Sequence, residues 1–165
     1  MTKLAHAMWV HGNSLQIQDE DNWDSISRLG YCTEIEGKKS GKETGGWVHF
    51  AVPTPVIIND KKLRLDSVML RFHLDSAAEI GQLHVYDGDT LIADMNTINA
   101  RYDMSTNEFV RWDVPNHPQV KYGISMSIYI IFHAHSGKRR IEFKAAGCDF
   151  LPPLPYKKMM VRFKK

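Results

Sequence analysis

Aromatic, histidine and arginine side chains recur at alternate positions in three short stretches of this sequence. A flat aromatic ring can stack on the apolar C–H face of a sugar, while imidazole, guanidinium and phenol groups hydrogen-bond its hydroxyls. If the three stretches share one face, they predict a binding site for a small polar ligand, above all a carbohydrate. The alternative is that they lie on two different sheets, as single exposed rings do on many proteins. The residues concerned are Trp47, His49, Arg71, His73, His84 and Tyr86.

A second candidate site is a pair of histidines, His133 and His135, which project to the same side of a strand. With His73 or His84 they could hold a transition metal, as cupin-type sites do. The next acid, Glu142, lies beyond a predicted turn, which departs from the cupin pattern. Structural histidines held by hydrogen bonds are the competing interpretation.

An acidic segment near the N-terminus offers oxygen atoms, the ligands that calcium prefers. Asp19, Asp21 and Asp24 surround Trp23, but the segment lacks the glycine and the glutamate of an EF-hand loop. It predicts either a calcium site completed by distant carboxylates or a solvated loop whose Trp23 covers one end of the core.

Motifs of covalent and nucleotide chemistry are missing from the sequence. No G-x-S-x-G elbow, P-loop or G-x-G-x-x-G run occurs. Cys148 follows Ala-Ala-Gly, an apolar setting that raises the pKa of a thiol and makes it inert. If the chain were an enzyme, a glycosidase with carboxylates such as Asp87 and Asp94 would fit best. The sequence favours a non-enzymatic module without a cofactor.

Strands must position these side chains, because apolar residues recur with a period of two through most of the chain. The segment 122–132 alternates large apolar residues with small or polar ones, and 65–74 repeats the pattern. Since successive side chains of a strand point to opposite faces, the inward residues identify the outward ones. The alternation places the three stretches above on the outside, together with Arg111 and Tyr129.

Turn signals separate the predicted strands. Asp87-Gly88-Asp89 predicts a type I′ hairpin, and the residues 136–138 predict a second hairpin between strands 122–135 and 140–145. About eight strands indicate an all-β, two-layer antiparallel β-sandwich with Greek-key or jelly-roll connections. The shorter predicted strands are 7–17, 31–36, 47–52, 82–86, 91–93 and 109–114, with loops at 18–28 and 37–46.

The length of 165 residues fits one domain, predicted at 1–150, followed by a proline-containing basic tail at 151–165. The tail holds five basic and no acidic side chains, so the other 150 residues hold 16 basic and 19 acidic ones. Because the domain itself is not basic, nucleic-acid binding is disfavoured.

Three further features bear on the cellular compartment. Cys32 and Cys148 are far apart in no C-x-x-C pattern, and no apolar stretch is long enough to cross a bilayer. The N-terminal segment also lacks the sustained apolar region of a signal peptide. Together they predict a cytoplasmic protein.

Four motifs invite a comparison with a known family. They are AHAMWVHGN at 5–13, LDSV at 65–68, VYDG at 85–88 and IEFKAAGCDF at 141–150. Together they resemble a family of small, uncharacterised bacterial β-sandwich proteins over residues 5–150. The resemblance implies the fold and brings no catalytic residue with it.

The leading hypothesis is therefore a non-enzymatic, lectin-like module that binds a small polar ligand such as a glycan. The second is a structural or interaction module, a homo-oligomer in which the same face or the edge strands pack against a second copy. The third is a metal-dependent enzyme that uses His133 and His135.

Overall fold

The computed structural model describes residues 4–39, 41–95, 100–101, 109–134 and 136–154. His135 and the part of the predicted basic tail after Leu154 lie outside these residues. The described residues form fourteen strands and two single-turn 3-10 helices, Gly12–Ser14 and Glu20–Asn22. None of the described segments is a helix long and apolar enough to cross a membrane.

The strands differ greatly in length, from two residues to twelve. They are β1 (His6–His11), β2 (Gln16–Ile17), β3 (Trp23–Leu29), β4 (Cys32–Gly37), β5 (Thr44–Val52), β6 (Ile57–Ile58), β7 (Lys61–Lys62), β8 (Arg64–Leu74), β9 (Ala78–Asp87), β10 (Thr90–Met95), β11 (Ala100–Arg101), β12 (Val110–Asp113), β13 (Ile124–Phe132) and β14 (Arg140–Leu151).

Two six-stranded antiparallel sheets make up the body of the molecule. In the first sheet the order is β12-β8-β14-β4-β3, and β1 also pairs with the long strand β14. In the second sheet the order is β10-β9-β13-β5-β2, and β11 also pairs with β9. Strands β6 and β7 form a separate small ribbon. This architecture confirms the predicted all-β sandwich.

The core lies between the two sheets and follows the period-two pattern of the sequence. Burying one apolar set from each sheet removes it from water, the main favourable term in folding. Phe50 of the second sheet and Phe143 of the first meet there edge to face, 5.9 Å between ring centroids. Among the predicted inward side chains of the two clearest strands, Tyr122 is exposed, because it precedes the first residue of β13. The others are buried: Val68, Leu70, Phe72, Leu74, Ile124, Met126, Ile128, Ile130 and Phe132.

The hairpin predicted at Asp87-Gly88-Asp89 is present between β9 and β10, where Asp87 pairs with Thr90. Gly88 occupies the first central position of the turn with a φ of 62°. Asp89 at the second central position does not have a positive φ, so the turn is of type II′ and the predicted type I′ is wrong. Glycine adopts the positive φ that type II′ requires at the first central position without strain.

The second predicted hairpin, at 136–138, is wrong. Strand β13 pairs with β5 and β9 in the second sheet, whereas β14 pairs with β1, β4 and β8 in the first. The chain therefore crosses from one sheet to the other after His133. Both strands carry a full apolar face, so each is buried best at the centre of a sheet of its own.

Two shorter predictions also need correction. The strand predicted at 7–17 is two strands, β1 in the first sheet and β2 in the second, separated by a 3-10 turn. A side chain at Gly12 would lie 1.9 Å from the Phe143 carbonyl oxygen, so the backbone passes there only because residue 12 is glycine. Most of the loop predicted at 18–28 is in fact β3, which begins at Trp23 and ends at Leu29. This strand lies at the edge of its sheet, where most of its side chains are exposed, so its sequence shows no alternation of apolar residues.

Candidate functional site

Four of the six predicted ligand-binding residues meet on the outer face of the second sheet. Strand β13 lies between β5 and β9, and the register places Ser127 opposite both His49 and His84. Two residues along β13, Tyr129 lies opposite Trp47. Directly opposed residues of neighbouring strands share a face, so these side chains form one continuous patch.

The patch forms a shallow groove of about 310 Å³, here called the Trp47 groove. Its position follows from the strand order, because β5, β13 and β9 place their outward residues side by side. Gln18, just after β2, reaches the groove because its backbone N–H donates to the Trp47 carbonyl oxygen at 3.2 Å. The lining residues are Gln18, Trp47, His49, His84, Tyr86 and Ser127.

Aromatic rings pack against one another across the groove. The Trp47 ring centroid lies 4.8 Å from that of His84 and 5.1 Å from that of Tyr129. The His84 ring lies 6.4 Å from that of Tyr86. All four side chains are half-buried, so each ring is held by its neighbours and part of its surface remains open to solvent. The arrangement is a preorganised aromatic floor.

Hydrogen-bonding groups stand beside these rings. His49 Nδ1 lies 2.9 Å from Ser127 Oγ, and burial lowers the pKa of His49, which favours the neutral imidazole. His84 Nε2 lies 3.3 Å from Asp94 Oδ1, within ion-pair distance. The angle there does not meet that of a hydrogen bond, and this nitrogen has no hydrogen-bond partner among the described residues. The groove thus combines ring faces with polar groups, among them the neutral His49, and one nearby carboxylate.

Arg71 and His73, the other two predicted residues, do not join this face. Both lie on β8 in the first sheet, opposite Ala145 and Glu142 of β14. His73 Nε2 lies 3.2 Å from Asp75 Oδ1, and Arg71 is exposed. The predicted set of six is therefore divided between the outer faces of the two sheets. Alternation along a strand reveals which residues point outward but not which sheet the strand joins.

The predicted transition-metal ligand His133 contacts two glutamates. His133 lies just after β13, with Nε2 at 2.7 Å from Glu79 Oε2 and Nδ1 at 3.2 Å from Glu43 Oε2. Of its proposed partners, His73 belongs to the first sheet and His84 to the second, and His135 lies outside the described residues. Within the described residues, no three His, Cys, Asp or Glu side chains are grouped to hold a metal ion.

The predicted calcium ligands Asp19, Asp21 and Asp24 are all exposed, at or beside the 3-10 turn that precedes β3. Trp23 between them is buried and packs edge to face on Phe132 at 5.8 Å. This is the position expected for a side chain that covers one end of the core.

Asp87, named with Asp94 as a possible catalytic pair, is engaged in holding a loop. Its Oδ2 accepts the Lys121 N–H at 2.7 Å, and its Oδ1 accepts the N–H groups of Tyr122 and Gly123 at 2.8 and 3.0 Å. The carboxylate is buried and saturated by backbone donors, which gives it a structural role. Burial also raises the pKa of Cys148, as the sequence predicts, so that thiol is held in its unreactive form.

The sequence did not predict two lining residues of the groove, Gln18 and Ser127. Ser127 belongs to the small, outward set of β13, so the alternation did contain its signal. Asp94 lies outside the lining and reaches the His84 ring across the β9–β10 pairing. Gln18 gave no signal, because the pairing of β2 with β5 joins residues more than thirty positions apart.

An ion-pair cluster occupies the outer face of the first sheet, on the other side of the sandwich. Arg111 binds Asp66 through Nη2 and Asp149 Oδ2 through Nη1, the latter at 2.7 Å. Burial raises the pKa of Asp149 even though the Arg111 guanidinium opposes this shift. The cluster links the edge strand β12 to β8 and β14, the function of a structural network.

A family model matches residues 4–150, nearly the whole of the described chain, and its description reads family of unknown function (DUF6623). The chain belongs to DUF6623. This agrees with the resemblance to an uncharacterised family over 5–150. No curated protein matches the sequence of this DUF6623 chain.

Solved structures similar to the DUF6623 chain include CBM27-1 from Caldicellulosiruptor saccharolyticus in complex with mannohexaose. It is 12% identical with a TM-score of 0.50, and the match covers 87% of this chain and 96% of that one. CBM29_1, a family 29 carbohydrate binding module from Piromyces equi, is 8% identical with a TM-score of 0.36 and covers 87% and 90%. The secreted serine protease VesC from Vibrio cholerae is 13% identical with a TM-score of 0.31 and covers 79% and 27%. At these identities the CBM27-1 match establishes similarity of fold alone.

Proposed function

We propose that this protein is a non-catalytic carbohydrate-binding module that holds a glycan in the Trp47 groove. The observation that carries the proposal is the contact of the Trp47 ring with those of His84 and Tyr129, beside the polar groups of His49 and Ser127. Ring faces take the C–H surface of a pyranose, and the polar groups take its hydroxyls. The fold shared with CBM27-1, whose structure contains mannohexaose, supports the same class of ligand.

Binding without hydrolysis is the better fit to the carboxylates of this region. Hydrolysis of a glycosidic bond requires two carboxyl groups that flank the bond. Asp87 is buried and occupied by three backbone N–H donors, so it cannot serve as the partner of Asp94.

The test is isothermal titration calorimetry with mannohexaose, cellohexaose and xylohexaose on the wild type and on Trp47→Ala. Loss of the central ring should weaken binding roughly tenfold or more, the order of one lost stacking contact with its buried area. Trp9→Ala is the matched control, because Trp9 is 40% exposed on β1 of the other sheet.

Circular dichroism and thermal melts establish that both variants remain folded. A wild type that binds none of the three hexaoses contradicts the proposal. Loss of binding in Trp9→Ala alone would place the glycan on the first sheet instead of in the groove.

A second candidate function, self-association, is favoured by one observation on the first sheet. Trp9 and Phe109 are 40% and 48% exposed and contact each other edge to face at 5.2 Å. An exposed aromatic pair is a common centre of protein interfaces. Light scattering across a concentration series tests this function, which requires a dimer that Trp9→Ala dissociates.

A further inference from the structure

The charged groups in and beside the Trp47 groove indicate which glycans it can bind. Among the residues that the structure describes, its lining includes neither lysine nor arginine, and the two histidines are the only lining side chains there that could carry a positive charge. His49 is half-buried against Ser127, and burial lowers the pKa of His49, so this ring is neutral at neutral pH. The second ring, His84, is 19% exposed and faces a carboxylate.

That carboxylate belongs to Asp94, whose side chain is 41% exposed on the neighbouring strand β10. Its Oδ1 lies 3.3 Å from His84 Nε2, and the His84 ring packs on Trp47. A sugar stacked on the Trp47 ring would therefore lie close to a negative charge that no lysine or arginine of the groove lining offsets.

Resting on the proposed function, we infer that the Trp47 groove selects uncharged glycans and that Asp94 is the residue that disfavours acidic ones. A uronic acid would bring a carboxylate next to Asp94, and like charges brought together oppose binding. It would also lose water around its own charge without gaining a lysine or arginine partner among the described lining residues.

Neutral hydroxyls match the same groups well. A hydroxyl both donates and accepts, and so do the Gln18 amide, the Ser127 hydroxyl and a neutral imidazole such as that of His49. Every polar group in the groove can therefore be satisfied by an uncharged sugar.

The experiment compares two ligands of equal length, mannohexaose and hexagalacturonate, by calorimetry at low salt and neutral pH. We expect the wild type to bind mannohexaose at least about tenfold more tightly than hexagalacturonate. Asp94→Asn removes the charge at constant shape and should raise hexagalacturonate affinity several-fold while leaving mannohexaose affinity within about twofold. Added salt should reduce the difference between the two ligands, because it screens the repulsion.

Two further variants sharpen the result. Gln18→Lys adds a positive charge at the exposed rim and should shift preference toward hexagalacturonate. Asp89→Asn, an exposed acid in the turn of the same β9–β10 hairpin, removes an equal charge from a residue that is not paired with His84 and should change neither affinity.

The outcomes separate this inference from the proposed function. Binding of hexagalacturonate as tight as that of mannohexaose, or an Asp94→Asn variant with unchanged preference, overturns the inference and leaves glycan binding intact. Binding of neither hexaose by a folded wild type removes the proposed function and the inference with it.

Discussion

A histidine kept neutral by its surroundings links the groove to the pH dependence of the fold. His49 is half-buried beside Ser127, and desolvation lowers its pKa from the ordinary value of 6.5. In the unfolded chain the same ring titrates near 6.5, so below that pH unfolding takes up a proton. The contribution of neutral His49 to stability is therefore complete above pH 6.5 and is lost as the pH falls through the lower folded pKa.

This predicts that His49→Gln makes the protein less sensitive to acid, because glutamine does not titrate. Urea unfolding midpoints at about pH 7.5 and about pH 5 should fall less in the variant than in the wild type. His6→Gln changes an exposed histidine and should show the wild-type fall. Equal falls in all three proteins would mean that His49 has the same proton affinity folded and unfolded.

At the scale of single residues, the sequence predicted four of the residues that line the groove, but it did not predict which outward residues lie outside it. The alternation of Trp47 and His49 with buried valine and phenylalanine was enough to place both outside. The same reasoning placed Arg71 and His73 outside correctly, but on β8 they face solvent from the first sheet. Which outward residues become neighbours depends on pairing between distant strands, and single-strand periodicity contains no information on that pairing.

At the scale of secondary-structure elements, the sequence likewise predicted where a local turn lies but not the pairing of distant strands. The Asp87-Gly88-Asp89 turn was predictable, because a two-residue connection requires a residue with positive φ and supplies its own strand register. The connection at 136–138 has similar turn residues, yet it carries the chain between sheets. The composition of a turn indicates that the chain changes direction there. Whether the next strand pairs with the previous one or joins the other sheet depends on where the apolar faces of the two strands are buried.

The β9–β10 hairpin gives a prediction about a buried carboxylate. Asp87 ends β9 and accepts three N–H groups from residues 121–123, which lead into β13. Asp87→Asn replaces one acceptor oxygen with a donor and removes the charge that strengthens these bonds. We expect a loss of about 2–4 kcal/mol in the free energy of unfolding, measured by chemical denaturation.

Its control is Asp89→Asn in the same turn, an exposed change expected to stay within about 0.5 kcal/mol. Similar stability of the two variants would show that the loop preceding β13 holds its position without Asp87.

At the scale of the whole molecule, one continuous core joins the sheets, since buried side chains of both belong to a single cluster. The chain passes between the two sheets after β13, so neither sheet is built from one contiguous segment. Separate unfolding of either sheet would expose the apolar face of the other, so the described fold should open as a unit.

Two buried thiols can test whether the two sheets unfold together. Cys32 on β4 and Cys148 on β14 are fully buried, and burial raises the pKa of each thiol above its usual value. We expect neither to react with a disulfide reagent at about pH 8 in the native state, and both to react in about 6 M guanidinium.

At intermediate denaturant concentrations, Cys32 and Cys148 should be labelled at the same rate, equal to the rate of unfolding followed by circular dichroism. Ser136→Cys, at an exposed position, should react at once in the native protein. Labelling of Cys32 well before Cys148 would mean that β4 and the edge strand β3 open independently of the core.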